Sequence, residues 1–214
     1  MRPQRAVYIH GFGSSPRSGK AQYLQKQLAR VGMPMAIPDL NQGDFTHLTL
    51  TRQIQRVAET LTPEPTVLIG SSFGGLTAVF VAERYPQVSH LVLLAPALRM
   101  REYWLQRLTP AQWEQWRTQG TIPVYHYGEG KELLLHYGFW TDLQTYDESR
   151  LQRPVPTLIV HGRQDDVVPL AVSEDYAHTR PWVTLISVDD DHTLHRSLDW
   201  IWGQLVAFLG VAPA

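Results

Sequence analysis

Short apolar runs rich in Val, Ile and Leu recur along the chain, separated by longer segments with helical periodicity. The runs cover residues 6–10, 35–38, 66–70, 90–94, 157–161 and 183–188. Several of them lack polar alternation, as expected when helices cover both faces of a sheet. The pattern therefore predicts an α/β fold, with a mostly parallel sheet of about six strands and flanking helices.

Three of the longer segments carry an apolar stripe at helical spacing. The stripes consist of Ala21, Leu24, Leu28 and Val31, of Leu50, Ile54, Val57 and Leu61, and of Leu194, Leu198, Ile201, Leu205 and Phe208. Gly32 and Gly210 stand where the first and the last of these helices should end. We expect the stripes to pack against the sheet rather than to bind a cofactor.

The alternation breaks between residues 98 and 153, where aromatic side chains are dense. Within this segment, residues 122–127 and 133–137 flank Gly128-Glu129-Gly130, which predicts a β-hairpin. We interpret residues 1–214 as one domain, in which residues 98–153 form an inserted, aromatic-rich cap or lid over the sheet. Such a cap could provide an apolar pocket, or its rings could simply pack it onto the core.

Two capping patterns occur inside the same segment. Thr109-Pro110-Ala111-Gln112 combines a capping box with proline at the first helical position, and Gly120 follows at a suitable distance to end that helix. Thr141 and Gln144 repeat the capping pattern, which predicts a second helix starting there.

Composition excludes several functions. The 19 basic and 20 acidic residues give a net charge of -1, so no basic surface for nucleic acid is indicated. Cysteine is absent, which excludes disulfides, thiolate metal sites and cysteine nucleophiles. No signal-peptide pattern precedes the first strand, and no apolar run approaches the roughly 20 residues of a membrane span. We expect a cytoplasmic protein without a membrane span; its oligomeric state is left open.

The run at residues 66–70 leads directly into Gly70-Ser71-Ser72-Phe73-Gly74, and helical periodicity follows over residues 75–84. This G-x-S-x-G motif on a strand–turn–helix would expose the Ser72 hydroxyl on a tight, strained turn at a helix N-terminus, where amides favour negative charge. The motif alone also fits an ordinary glycine-rich turn. Its partners further along the chain favour Ser72 as a nucleophile.

Two later strand ends offer the groups that a serine nucleophile needs, in the order serine, acid, base. The run at 157–161 is followed by Asp165, and the run at 183–188 is followed by His192. Asp165 is the preferred acid, with Asp166 as the alternative. His192 is the preferred base, while His195 is expected in the first turn of the last helix. We expect the carboxylates of Asp189, Asp190 and Asp191 to be solvated loop charges.

An oxyanion hole would complete such a site. One donor should be the backbone N–H of Phe73, which follows the nucleophile, and the other the N–H of Phe12 in the loop His10-Gly11-Phe12-Gly13. His10 is expected to hold this loop rather than to act as a second base. The loop lacks the G-x-G-x-x-G and Walker patterns of phosphate-binding sites. Acyl transfer by a serine, a histidine and a carboxylate requires neither a metal nor an organic cofactor, so neither is expected.

The segment from His10 to Ser18, with Lys20, together with Gly70-Ser71-Ser72-Phe73-Gly74-Gly75, resembles the YqiA-like esterase family of the α/β-hydrolase superfamily. The resemblance is close at these two motifs and loose over the rest of the chain. It implies an α/β-hydrolase fold, a Ser72–Asp165–His192 triad, and carboxylesterase or acyl-thioesterase activity on a small-molecule acyl substrate. The acidic residues before His192 and the sequence HGRQDDVVP depart from that family, which affects the substrate more than the mechanism.

Overall fold

The computed structural model describes residues 2–211 and contains a six-stranded, entirely parallel sheet. Its strands are β1 (Arg5–Ile9), β2 (Met35–Ala36), β3 (Thr66–Ser71), β4 (Val88–Leu94), β7 (Thr157–Gly162) and β8 (Val183–Val188), and an antiparallel hairpin is formed by β5 (Thr121–His126) and β6 (Lys131–His136). The sheet order is β2-β1-β3-β4-β7-β8. Every predicted strand is therefore present, and the predicted α/β architecture is confirmed.

Eight α-helices connect and cover the strands within the described residues. They are α1 (Gly19–Arg30), α2 (Leu50–Ala58), α3 (Phe73–Arg84), α4 (Met100–Tyr103), α5 (Pro110–Gln119), α6 (Gly138–Leu143), α7 (Leu170–His178) and α8 (Leu198–Leu209). None of these helices is long and apolar enough to cross a membrane.

Apolar clusters cover both faces of the sheet, which explains the missing polar alternation. Val7 and Ile9 of β1 point to a cluster that includes the buried side of α2 and α3. Ala6 and Tyr8 of the same strand point to a second cluster, formed with α1 and α8. Because successive side chains of a strand alternate between faces, both sets are buried only when helices lie on both sides.

The last helix begins later than its apolar pattern predicts. Leu194 is fully buried, but its φ of 55° is left-handed and cannot belong to a right-handed helix. The helix therefore starts at Leu198, so the prediction that His195 lies in its first turn was wrong. It ends as predicted at Gly210, whose φ is 62°.

The segment between β4 and β7 contains the predicted helix and hairpin. Thr109 and Gln112 exchange the two hydrogen bonds of a capping box at the start of α5, and Gly120 ends this helix with a φ of 79°. The second capping prediction was wrong: α6 begins at Gly138, and Thr141 lies inside it. Because the Tyr137 N–H donates to the Gly120 carbonyl at 2.7 Å, the chain enters α6 directly from the hairpin.

Aromatic side chains form the interior of this segment. Trp116 is fully buried, and its indole N–H donates to the Leu135 carbonyl at 2.9 Å. Its ring makes edge-on contacts with Trp104, Trp113 and Tyr137 at centroid distances of 5.4, 6.0 and 5.5 Å. These rings bury a large apolar area with specific geometry, which accounts for their density in the sequence.

Candidate active site

Ser72 lies at the turn between β3 and α3, in a backbone conformation that side chains rarely adopt. Its φ is 53° and its ψ is -120°. The neighbouring glycines make this turn possible: a Cβ atom at Gly74 would overlap the Ile9 carbonyl oxygen, and one at Gly70 would lie 2.5 Å from the Gly74 oxygen. The strained turn predicted from the motif is present, and it holds the Ser72 side chain above the carboxyl end of the sheet.

His192 and Asp165 lie beside Ser72 in a continuous hydrogen-bonded chain. The Nε2 atom of His192 is 3.0 Å from Ser72 Oγ, and its Nδ1 atom is 2.7 Å from Asp165 Oδ2. Ser72 follows β3, Asp165 follows β7 and His192 follows β8, so the carboxyl ends of three strands bring the side chains together. The structure thus joins the three side chains that the sequence singled out.

The acceptor atoms in this series of hydrogen bonds determine which nitrogen atom of His192 carries a proton. An ionised Asp165 can only accept, so His192 Nδ1 must carry a proton. In the neutral imidazole, Nε2 then has a free lone pair, and the Ser72 hydroxyl donates to it. This is the protonation state in which an imidazole can remove the hydroxyl proton.

The Asp165 carboxylate is fully buried and surrounded by donors. Its Oδ1 accepts from the N–H groups of Val167 and Val168, both at 2.8 Å. Burial by itself would raise the pKa of Asp165, but the contacts with His161 and His192 outweigh this effect and hold the pKa well below its usual range. The carboxylate is therefore ionised at neutral pH and available to orient His192.

The alternative acid and base are not in the hydrogen-bonded chain. Asp166 is exposed, and its backbone carbonyl accepts from Arg107 at 3.0 Å. His195 is exposed and packs towards Gly19 instead of Ser72 or Asp165. Neither Asp166 nor His195 forms a hydrogen bond with the Ser72 hydroxyl, which pairs with His192.

The expectation that all three consecutive aspartates are solvated was wrong for Asp190. Its side chain is 1% exposed and accepts from the Ser197 N–H at 2.9 Å and from Arg196 Nε at 3.2 Å. Asp190 therefore fixes the chain just before α8, which explains its burial. Asp189 and Asp191 are exposed, as expected.

The loop after β1 approaches Ser72 closely. A Cβ atom at Gly11 would lie 3.2 Å from Ser72 Cβ, so glycine is needed for the approach. Within the described residues, the N–H groups of Phe12 and Phe73 donate to no protein acceptor. His10 is 1% exposed; its Nε2 accepts from the Leu40 N–H at 3.2 Å, and its Nδ1 donates to the Gly11 carbonyl at 3.1 Å. These bonds give His10 the loop-holding position that the sequence predicts.

Aromatic contacts join this loop to the inserted segment. The Phe12 ring contacts Phe45, Trp104 and Phe139 at centroid distances of 5.4, 5.9 and 5.5 Å. Phe73 also contacts Phe139, at 5.4 Å. The two residues with free amides therefore carry rings that are held by the inserted segment and by the loop containing Phe45.

Backbone contacts add to this connection. The Gly128 N–H at the hairpin tip donates to the Gly13 carbonyl at 3.1 Å. Asn41 Nδ2 donates to the Ser14 carbonyl at 2.8 Å and lies 3.2 Å from His126 Nε2 on the hairpin. The hairpin thus contacts the loop after β1 directly at Gly13 and, through Asn41, at Ser14.

Two residues beside the site were given no role by sequence reasoning. Lys20 of α1 faces the site; burial lowers its pKa to about 8, although Asp165, Asp191 and Asp190 oppose this. His161, at the end of β7, has its Nε2 atom 3.1 Å from Asp165 Oδ2. The available signal for His161 was a histidine in an otherwise apolar strand, four positions before the acid.

No group of three or more metal-binding side chains is arranged around a common point within residues 2–211.

Comparison with solved structures identifies the fold. A protein of Agrobacterium vitis S4 is 22% identical with a TM-score of 0.83, over 97% of this chain and 88% of that one. Est1E of Butyrivibrio proteoclasticus, solved with ferulic acid, is 20% identical with a TM-score of 0.82, over 97% and 88% of the two chains. Mouse alpha/beta hydrolase domain-containing protein 10 is 19% identical with a TM-score of 0.82, over 96% and 89%.

No curated protein matches the chain in sequence. A family model, described as an uncharacterised protein family (UPF0227), matches residues 5–210. The match spans nearly the whole chain, and together with the structural similarities it confirms the resemblance seen in the two glycine-containing motifs. The chain belongs to the UPF0227 family and has the α/β-hydrolase fold.

Proposed function

We propose that the protein is a serine hydrolase that cleaves carboxylic esters or acyl thioesters through an acyl-enzyme. The observation that carries the proposal is the hydrogen-bonded chain from Ser72 Oγ through His192 to the buried, ionised Asp165. A serine hydroxyl is a weak nucleophile until a base removes its proton, and this arrangement supplies the base and its orienting group.

In the first half-reaction, Ser72 Oγ attacks the carbonyl carbon while His192 Nε2 takes the hydroxyl proton. The resulting imidazolium is stabilised by Asp165, and it then donates the proton to the leaving alcohol or thiol. The leaving group departs and the acyl group stays on Ser72. Water repeats the cycle in the second half-reaction, which releases the carboxylic acid and restores the hydroxyl.

The amides of Phe12 and Phe73 are the proposed oxyanion donors. They belong to the two segments nearest to Ser72, and neither has a protein acceptor among the described residues. Each such donor typically accelerates acyl transfer by about 10²–10³-fold, because it stabilises charge that develops only in the transition state. Neither donor requires a metal or an organic cofactor.

We further propose that residues 98–153 act as a cap, with an apolar acyl pocket near Phe12 and Phe139. The rings of Phe12, Phe73 and Phe139, which pack against one another beside Ser72, would form the apolar wall of this pocket. Est1E, one of the similar structures, was solved with ferulic acid, an aromatic carboxylic acid. Esters with aromatic acyl groups therefore belong in the substrate series, beside straight acyl chains.

The proposal is tested with p-nitrophenyl esters of increasing acyl length, matched coenzyme A thioesters, and labelling by a fluorophosphonate. We expect ester hydrolysis with an initial burst of p-nitrophenol, released as the acyl-enzyme forms. The fluorophosphonate should add its mass to Ser72. Ser72→Ala should lower kcat by at least about 10³-fold, since the nucleophile is lost. Ser89→Ala, on β4, is the matched control and should behave as the wild type.

Other outcomes would replace this proposal. Labelling of Ser72 without ester or thioester hydrolysis would point to a lactonase, peptidase or carbon–carbon hydrolase using the same groups. A folded protein whose Ser72 does not react would indicate a non-catalytic binding protein. Full esterase activity in Ser72→Ala would contradict the mechanism itself.

A further inference from the structure

His161 is a buried histidine that the proposed mechanism does not use. It is fully buried at the end of β7, in a strand whose preceding residues Leu158, Ile159 and Val160 are all buried and apolar. An imidazole in such surroundings is costly unless its nitrogens find partners. An apolar side chain would suit the strand better, so the partners of His161 should explain its presence.

Those partners lead directly to the site. His161 Nε2 lies 3.0 Å from the Val168 carbonyl and 3.1 Å from Asp165 Oδ2, and its Nδ1 lies 2.8 Å from Ser173 Oγ on α7. Ser173 is also fully buried. Since the carbonyl and the carboxylate can only accept, Nε2 must carry a proton; that N–H donates to the Val168 carbonyl and lies beside Asp165 Oδ2.

We propose that His161 is a positioning residue, which holds Asp165 Oδ2 towards His192 and offsets part of its negative charge. Oδ1 is already held by the N–H groups of Val167 and Val168. His161 supplies the corresponding support on the Oδ2 side, where His192 also binds. The inference rests on the proposed function, because it concerns how His192 is tuned as a base.

The direction of the effect follows from charge. The His161 N–H draws on the same carboxylate oxygen that stabilises the His192 imidazolium. Without it, Oδ2 would become a stronger acceptor for His192, and the imidazolium would be favoured over the neutral base. Because only the neutral imidazole can take the hydroxyl proton, the acid limb of the kcat/KM profile then moves to higher pH.

Other titratable groups facing this cluster come from neighbouring elements. Lys20 of α1 and Tyr103 of α4 face Asp165, and Asp190 and Asp191 of the loop after β8 face Lys20. A substitution at residue 161 alters none of these residues. A difference between variants at this position therefore reports the contribution of residue 161.

The test follows His192 by nuclear magnetic resonance of imidazole nitrogens, which requires no turnover. In His161→Leu we expect the Nδ1 signal of His192 to change, because the charge of Asp165 is no longer offset by the His161 N–H. The acid limb of kcat/KM should move to higher pH by about one unit, and kcat should fall because Oδ2 is less well held. His161→Gln, which keeps an N–H near this place, should shift less.

The matched control is His90→Leu, at a partly buried histidine on β4 that contacts Ser89 and Phe208 instead of the site. An equal shift in this control, or no shift in a folded His161→Leu, would overturn the inference. In the wild type, the nitrogen spectrum should show the His161 proton on Nε2; a proton on Nδ1 alone would also overturn it. Wild-type esterase activity and Ser72 labelling are scored separately and report the proposed function.

Discussion

The parallel sheet and the inserted segment, residues 98–153, are held together in different ways. At the carboxyl end of the sheet, backbone packs directly on backbone: Gly74 lies against the Ile9 carbonyl, and Gly162 against the carbonyls of Asp190 and Asp191. The inserted segment instead packs through large rings around Trp116. The geometry around Ser72 is thus set by contacts that tolerate no side chain, whereas the segment above it depends on side-chain shape.

The largest loss of stability is expected where backbone packs directly on backbone near Ser72. Gly74→Ala places a Cβ atom into the Ile9 carbonyl, so either β1 or the start of α3 must move. We expect the free energy of unfolding to fall by more than about 4 kcal/mol, which would leave little native protein. Urea unfolding followed by circular dichroism measures this.

The control for that prediction lies in α8. Gly203 is exposed in this helix, and the methyl group that alanine would add there meets no atom of another element within 4 Å. Gly203→Ala should raise the free energy of unfolding by up to about 1 kcal/mol, because alanine favours the helix. Similar losses in the two variants would show that the tight packing near Ser72 has no special weight.

The next largest loss of stability is expected at the central aromatic ring of the inserted segment. Trp116→Ala removes a fully buried side chain and its hydrogen bond to the Leu135 carbonyl, which should cost about 3–5 kcal/mol. Hydrogen exchange should accelerate more for amides of β5 and β6 than for those of β3, if the inserted segment loosens first. Trp200→Ala, at a side chain that is 43% exposed, is the control. Uniform acceleration across the sheet would contradict the distinction between the two regions.

A smaller effect is expected where the inserted segment returns to the sheet. The Arg153 guanidinium donates to the carbonyls of Tyr85, Pro86 and Val88 at 2.8, 2.9 and 2.8 Å. Arg153→Met should lower the free energy of unfolding by about 2–3 kcal/mol, because charged hydrogen bonds are lost and carbonyls are left unpaired. Arg150→Met, at an exposed residue nearby, should change it by no more than about 0.5 kcal/mol. If the two variants lost the same stability, the hydrogen bonds of Arg153 would not stabilise the return of the inserted segment to the sheet.

The smallest expected effect is the pH dependence of stability that comes from Asp165, at the carboxyl end of the sheet. The contacts of Asp165 with His161 and His192 outweigh burial and depress its folded pKa below the unfolded value of about 3.9. Its contribution to stability is therefore complete above about pH 5 and is lost as the pH falls further. The difference in unfolding free energy between wild type and Asp165→Asn should narrow in acid. Ser89→Ala removes no titratable group, and its difference from wild type should not vary with pH.

Local patterns in the sequence predicted most of the fold and the three aligned side chains. The Thr109 capping box and the motif around Ser72 depend on neighbouring residues, so the sequence alone is sufficient for them. Thr141 shows the limit, because its capping pattern is overridden by the long-range bond from Tyr137 to Gly120. The three aspartates before His192 look alike in sequence, and only contacts with Arg196 and Ser197 bury Asp190.

The left-handed backbone of Ser72 has a consequence for how such a protein can change over generations. Glycine adopts this conformation freely, whereas serine is held in it at a cost of about 1–3 kcal/mol. Substitution by glycine would therefore relieve this strain, so retention of serine is expected only where the hydroxyl contributes to function. If the proposed function is right, a natural relative with glycine at this position should have lost the hydrolase activity.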